Sequence, residues 1–256
     1  MQAGSRPRIL VTNDDGIHAE GLRALAEALA ELGCVTCVAP HREMSATSHS
    51  ISLYQPIRYE SAGKDRYAVQ GTPADCVTLA LSHILRERPH LVVSGINRGA
   101  NLGHNVFYSG TVGAAVEGTL RGVPSIAISV CTKEEFRTAG AAAFAAQLAE
   151  RVLAEGLPPG VTLNVNVPEE WKGGARITSL GQQIGLNFVK ESVDPGGRSY
   201  FWVYEETDDS RITPNSDYAA IREGQISVTP LWFHSSEPQQ DGLARVLQFR
   251  NSVQAF

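Results

Sequence analysis

The stretch Arg8-Ile9-Leu10-Val11-Thr12-Asn13-Asp14-Asp15-Gly16 decides how the chain is read. Ile9 to Thr12 are apolar or β-branched and predict a short buried strand. The strand runs directly into Asn13, two adjacent carboxylates and Gly16, where the backbone can turn before a helix. In an open α/β sheet, ligands bind outside the carboxyl ends of the strands. Two like charges at such a place repel each other and resist desolvation unless a cation or a proton lies between them. The stretch therefore reads as a metal site on the first loop, with a solvated acidic turn as the plain alternative.

The composition limits what such a site serves. The 256 residues are 43% hydrophobic and 19% charged, enough for one large buried core, and the formal net charge is -5. The absence of a run of Lys or Arg argues against a broad nucleic-acid or membrane-surface footprint, although not against a small phosphorylated substrate. No apolar run reaches the ~18 residues of a membrane span, and the polar start Met1 to Pro7 has no signal core; the expected location is cytoplasmic. Cys34 and Cys37 have the spacing of a metal knuckle. They fall on a predicted strand, where residues i and i+3 face opposite sides, and no second pair follows. Buried free thiols are expected for all four cysteines.

Outward from the first strand, Leu22, Leu25, Ala26, Leu29 and Leu32 fall at helical spacing and predict a helix over 18–32. Cys34 to Ala39 is a second strand, followed by a polar loop carrying Ser45, Thr47, Ser48 and Ser50. Ile51 to Tyr59 and Arg66 to Gln70 read as strands of a hairpin. Thr72, Pro73 and Asp75 mark a helix start, with Asp75 near the positive end of the dipole; a direct substrate contact by Asp75 is the alternative. His90 to Ser94 is another strand, and 94–105 reads as a loop in which three glycines and three asparagines bring amides close to a ligand. Ser109, Gly110 and Thr111 open a helix to Arg121, which makes either a phosphate seat or an ordinary N-cap by Ser109, or both. Strands over 124–130 and 161–167 flank an Ala-rich helix over 138–155. The alternation predicts an α/β fold: a three-layer Rossmann-like core with a mostly parallel sheet over 1–182. From 183 to 256 the pattern changes to a β-rich extension with a strand over 200–204, a short helix from Thr213 to Ile221, a strand over 225–230 and apolar residues to the end.

The groups collected at the strand ends, Asp14, Asp15, the loop hydroxyls and Asn97, are all oxygen donors. Hard oxygen ligands suit Mg²⁺, Mn²⁺ or Ca²⁺ rather than zinc. A divalent cation beside the helix start at Ser109 points to metal-assisted phosphoryl chemistry. A phosphorelay receiver is disfavoured by the absence of an Asp at the end of the His90 strand. A dinucleotide-binding Rossmann domain is disfavoured by the single glycine of the first turn, and a calcium-dependent nucleoside hydrolase by too few carboxylates.

Several motifs coincide in order: Asn13 to Gly16, Ala39-Pro40, Ser45, His49 to Ile51, Gly71 to Asp75, Ser94 to Asn97, Gly99 to Asn101 and Tyr108 to Ala115, then Ser216 to Tyr218 and Val228 to Pro230. Together they resemble the survival-protein-E (SurE) family over about residues 8–232. The resemblance implies a metal-dependent phosphatase of nucleoside 5′-monophosphates, with 3′-monophosphates and short polyphosphate as further substrates. It implies one divalent cation, Mg²⁺ or Mn²⁺, per subunit, bound by Asp14, Asp15, Ser45 and Asn97; the choice of Ser45 among the loop hydroxyls comes from the resemblance alone. Asp14, Asp15, Asn97, Ser109 and Thr111 are then the catalytic set, and Ser109, Gly110, Thr111, Asn101 and Asp75 the substrate contacts. A homodimer or homotetramer is implied, with the C-terminal extension as an exchanged arm. Two positions depart from the family's pattern: Ala46, where glycine is usual, and Asn105, where aspartate is commoner. A nucleotide-binding sensor without turnover is the alternative function.

Overall fold

The computed structural model describes residues 6–132, 135–182, 185–207 and 212–233. The deciding strand forms as β1, Arg8–Thr12, buried from Ile9 onward. Its alternation divides the core: Ile9 and Val11 pack with Leu22, Leu25 and Leu29, whereas Leu10 packs with Val77 and Ala114 on the other face. A strand buried on both faces is what a central parallel strand requires. The leucines at helical spacing form α1, Glu20–Ala30, and β2 spans Cys34–Pro40. Next come β3, Tyr59–Gly63, and β4, Arg66–Val69, then α2, Pro73–Leu79, which continues as a π-helical turn over Ala80–Ile84. β5, Leu91–Arg98, is followed by a 3₁₀ turn over Gly103–Phe107 and by α3, Gly110–Leu120. The remaining elements are β6 (Ser125–Cys131), α4 (Ala139–Glu155), β7 (Val161–Pro168), β8 (Ala175–Ile177), β9 (Gly185–Val193), β10 (Ser199–Thr207), α5 (Asp217–Arg222) and β11 (Ile226–Trp232).

Nine strands make one sheet in the order β3-β4-β2-β1-β5-β6-β7-β11-β8, and β9 with β10 makes a second, two-stranded antiparallel sheet. From β4 to β7 every neighbour is parallel; only β3 against β4 and β11 against β7 run antiparallel. The expected α/β fold with a mostly parallel sheet is what the chain adopts. β1 has β2 on one side and β5 on the other, so the chain winds in opposite directions from β1. The carboxyl ends of β1 and β5 are thus the topological switch point, where a ligand crevice opens.

Several local expectations give way. Residues 51–58 form no strand: Ile51, Leu53 and Tyr54 are exposed, so their apolar character reflects no buried face. β5 does not end at Ser94 but continues to Arg98, with its pairing to β6 shifted between Ser94 and Asn97. β8 and β9 carry no distinct sequence signal. The short helix starts at Ser216, whose hydroxyl accepts from the Ala219 amide, rather than at Thr213. Cys34 is exposed and Cys131 half-buried, so only Cys37 and Cys76 are the buried thiols expected. Of the extension over 183–256, the β9–β10 hairpin forms its own sheet, whereas α5 packs on β11 and β11 lies inside the main sheet. The apolar positions Leu243, Val246, Leu247 and Phe249 lie outside the described residues.

Candidate active site

At the end of β1 the backbone is set by Asn13, which is fully buried. Its side-chain amide donates to the Gly16 carbonyl at 3.1 Å and its Oδ1 accepts from the Gly16 amide at 3.1 Å. This staple fixes the two residues between them. Asp14 is buried, and its Oδ1 accepts from the Thr111 hydroxyl; the Thr111 backbone amide also donates to the carboxylate. The carboxylate of β1 therefore caps the positive end of α3. Burial nevertheless dominates and pushes the Asp14 carboxyl above its ordinary range. Asp15 is half-buried and is pushed up to about 6 by burial first, then by Asp14 and Glu43; the Arg98 amide and guanidinium act the other way.

This pair answers whether a cation fits. Two adjacent carboxylates, both disfavoured as anions by their surroundings, gain most from a positive charge. Beside them, Thr12, the last residue of β1, is in register with Ser94 in the middle of β5. Both hydroxyls are buried and without a hydrogen-bond partner among the described residues. Further hard oxygen donors therefore lie next to the acidic turn. Among the described residues no group of three or more His, Cys, Asp or Glu side chains gathers as a cation site, so neutral oxygens must complete any coordination. The residues fit a hard divalent ion and not a thiolate or imidazole metal.

Asn97 comes from the extended end of β5, half-buried, with its side-chain amide donating to the Gly99 carbonyl at 3.0 Å. Its Oδ1 is the atom suited to a cation. Ser45 is exposed on the loop after β2 and donates to Glu43 at 2.8 Å. That loop is tied to the acidic turn by the Met44 amide, which donates to the Asp14 carbonyl at 2.7 Å. Ala46 stands at φ 57°, in the left-handed region where glycine is favoured. Glycine at this position is therefore expected to relieve strain: Ala46→Gly should raise stability by about 1 kcal/mol, partly offset by the freer unfolded chain, and Tm by about 2 °C. Calorimetric melting of the two proteins checks this.

At the opposite rim Ser109 is the N-cap of α3, its hydroxyl oxygen accepting from the Val112 amide at 3.1 Å. The segment's other hydroxyl and one of its amides, both of Thr111, turn to Asp14, as described above. What it offers a phosphate is the Gly110 amide, the Ser109 hydroxyl proton and the helix dipole. A Cβ on Gly110 would lie 2.8 Å from the Asp14 Cβ and 3.0 Å from the Thr47 hydroxyl. Only glycine lets α3 approach the acidic turn this closely.

Two of the expected substrate contacts have other partners. Asp75 is buried and accepts from the Ser52 amide (2.9 Å), the Ser52 hydroxyl (2.7 Å) and the Thr72 amide (2.9 Å), while Thr72 caps α2 in return. It thereby fixes loop 50–52 to α2. Asn101 is also buried; its side chain donates to the Ser129 hydroxyl at 2.8 Å, its amide donates to Asn166 at 2.8 Å, and its carbonyl accepts from Asn164 and Asn166. The loop is further held by Asp217, which accepts from the amides of Gly103, Gly181 and Tyr218. Asn164 and Asn166, two apart on β7, share one face; that polar pair in a buried strand was the available signal. Glu43 and Arg98 carry no sequence signal, because only the folded chain brings them to Asp14 and Asp15.

A cavity of about 1140 Å³ opens nearby, lined by His49, Phe107, Ser109, Val112, Gly113 and the end of β11. It meets the site at Ser109, and neither acidic residue lines it.

Comparison with known proteins bears on this arrangement. The family model described as Survival protein SurE matches residues 9–185. The chain is 50% identical over 229 residues to a 5′-nucleotidase SurE of Geobacter sulfurreducens, covering 87% of each protein. It is 45% identical over 251 residues to a 5′-nucleotidase SurE of Moorella thermoacetica, covering 94% of this chain and 96% of that one. Among solved structures, a SurE protein from Aquifex aeolicus superposes with a TM-score of 0.80 at 40% identity, over 90% of this chain and 95% of the other.

Proposed function

This chain belongs to the SurE family, and on that footing we propose that it is a metal-dependent 5′-nucleotidase, hydrolysing nucleoside 5′-monophosphates to nucleoside and phosphate. The observation that carries the reading is the contact between Asp14 and the start of α3, which sets an acidic cation seat against an anion seat at the switch point of the sheet. Asp14 and Asp15, with Asn97 and Ser45, would hold one Mg²⁺ or Mn²⁺ per subunit. When bound, such an ion neutralises phosphate charge and lowers the pKa of a coordinated water. Thr111 fixes the Asp14 carboxylate through its hydroxyl and amide. Ser109 and the Gly110 amide bind phosphate oxygens at the positive end of α3. Asp75 and Asn101 act on the substrate indirectly, by holding the loops that border it. Nucleoside 3′-monophosphates and short polyphosphate present the same terminal phosphate and are proposed as further substrates.

Assembly into a homodimer or homotetramer is part of this reading. It is supported by the β9–β10 hairpin, where Val189, Val193, Phe201, Trp202 and Val203 are each more than 60% exposed. So much apolar surface on one two-stranded ribbon marks an interaction surface. No helix among the described residues is long and apolar enough to cross a membrane.

The test is phosphate release from a panel of 5′- and 3′-monophosphates and short polyphosphate, with Mn²⁺, with Mg²⁺ and with EDTA. Release that requires a divalent ion and is fastest with 5′-monophosphates is the expected result. A nucleotide bound with metal and recovered intact would make the protein a sensor instead.

A further inference from the structure

The loop over 44–50 carries Ser45 and Thr47 to the acidic turn, yet it has no regular structure. Ala46 and Ser48, on either side of Thr47, both stand in the left-handed region, at φ 57° and 58°. Two non-glycine residues in that region persist only when their surroundings hold them there. The main-chain anchors lie on either side of the middle: Met44 on Asp14, and Ser48, whose amide donates to the Tyr108 carbonyl at 2.9 Å. Three side-chain tethers join them: the Ser48 hydroxyl donates to the Phe107 carbonyl at 2.5 Å, the Thr72 hydroxyl donates to the Ser50 carbonyl at 2.7 Å, and His49 reaches α3. His49 Nε2 lies 2.9 Å from Glu117 Oε2, on the helix whose first turn holds Asp14.

Glu117 is built for that tether. It is buried in α3, and its Oε1 is taken by the Thr78 hydroxyl of α2 at 2.8 Å and by Arg121 Nε at 2.5 Å; Arg121 also donates to Thr78 at 3.0 Å. One carboxylate oxygen thus joins α2 to α3, and the other faces the loop. Nearby, Gly113 lets the loop backbone rest on the helix, since a Cβ there would lie 2.6 Å from the Ser48 carbonyl oxygen. α3 is therefore a common scaffold. Its first turn fixes Asp14 and meets Thr47 at Gly110, and Glu117, seven residues on, fixes His49.

We propose that His49 and Glu117 are positioning residues of the active site, which hold the Ser45–Thr47 loop at the distance from Asp14 and Asp15 that cation and phosphate binding require. The inference rests on the proposed function. Neither side chain need touch the substrate.

The experiment compares wild type, His49→Ala and His49→Gln, the last retaining an N–H donor for Glu117. Mn²⁺ binding to the metal-free protein is measured by titration calorimetry, together with kcat, KM and amide hydrogen exchange. In His49→Ala, Mn²⁺ affinity and kcat/KM should each fall about 10-fold or more, as for other residues that orient ligands. Faster exchange should be confined to 44–50. His49→Gln should recover most of both losses. A His49→Ala protein with wild-type Mn²⁺ affinity and kcat/KM, whatever its melting temperature, would overturn the proposal, as would His49→Gln no better than His49→Ala. Wild type that neither binds Mn²⁺ nor releases phosphate would instead defeat the proposed function, and this inference with it.

Discussion

Replacing Asp15 with Asn is expected to abolish divalent-dependent phosphate release and, in the metal-free protein, to raise stability above pH 6. The two effects have one origin. Burial, Asp14 and Glu43 together hold the Asp15 carboxyl up to about 6 in the folded chain, against about 3.9 in an unfolded one. Between those values the folded protein keeps a proton that the unfolded chain has released. Stability therefore falls as pH rises through this window, and the deficit is complete above about pH 6. Asparagine carries no charge in either state and removes the deficit. Below about pH 4 the carboxyl is neutral in both states, and wild type and variant should melt alike. Above pH 6 the variant should be more stable by on the order of 1 kcal/mol, allowing for the partial exposure of Asp15. That is roughly 2–4 °C in Tm. Activity moves the other way: loss of one of the two proposed anionic ligands should cost about 10³-fold or more in turnover, several kcal/mol of transition-state stabilisation. Melting curves in EDTA at pH 4 and pH 8, with phosphate release in Mn²⁺, measure both. A variant that keeps metal-dependent turnover, or that melts lower than wild type in EDTA at pH 8, would sink the account.

The same residues show what the sequence reveals and what it withholds. β1 and α1 are legible because burial leaves its pattern on them: Ile9 to Val11 are apolar without a break, and Leu22, Leu25 and Leu29 return every three or four residues. The acidic turn is legible because position after a first strand carries physical meaning. The loop at Ser45, by contrast, is ordered by partners far away in the chain. Nothing near Thr47 announces that it meets Gly110, and nothing near His49 announces Glu117. Asp75 and Asn101 teach a second limit. Sequence can place a polar side chain at the rim of a crevice, but not whether its lone pairs and N–H groups already have partners. Both are buried, and each has at least three protein hydrogen bonds to side chain or backbone. Residues 51–58 show the converse error. Ile51, Leu53 and Tyr54 resemble a strand in composition, yet they lie exposed in a loop pinned by Ser52 to Asp75.

Gly95→Ala should be among the most damaging single-methyl changes in the chain, and Gly95 is also the residue that makes the sequence end β5 too early. A glycine after Ser94 is ordinarily a signal that a strand has stopped. Here it is what lets the strand continue. Gly95 stands at φ 136°, and a Cβ there would lie 2.3 Å from the Ile128 carbonyl oxygen and 2.8 Å from the Ile128 Cγ2 of β6. A methyl group cannot be accommodated unless β5 and β6 separate at that point, and the pairing that resumes at Asn97 with Ser129 would shift with it. The expected cost is about 3 kcal/mol or more, since steric overlap with backbone adds to the conformational penalty. In Tm this is a fall of roughly 6–12 °C, with loss of Mn²⁺ affinity in the folded fraction because Asn97 is displaced. Gly99 supplies the control. It stands at φ 119°, but a Cβ there meets nothing within 4 Å, so Gly99→Ala carries the conformational term alone, on the order of 1 kcal/mol. Equal losses in the two variants would mean that the close approach of β5 to β6 contributes nothing. A Gly95→Ala protein as stable as wild type would show that the end of β5 is not held against β6 at all. The larger loss at Gly95, carried through to metal binding, would show that this glycine maintains the sheet geometry that brings Asn97 to Asp14 and Asp15.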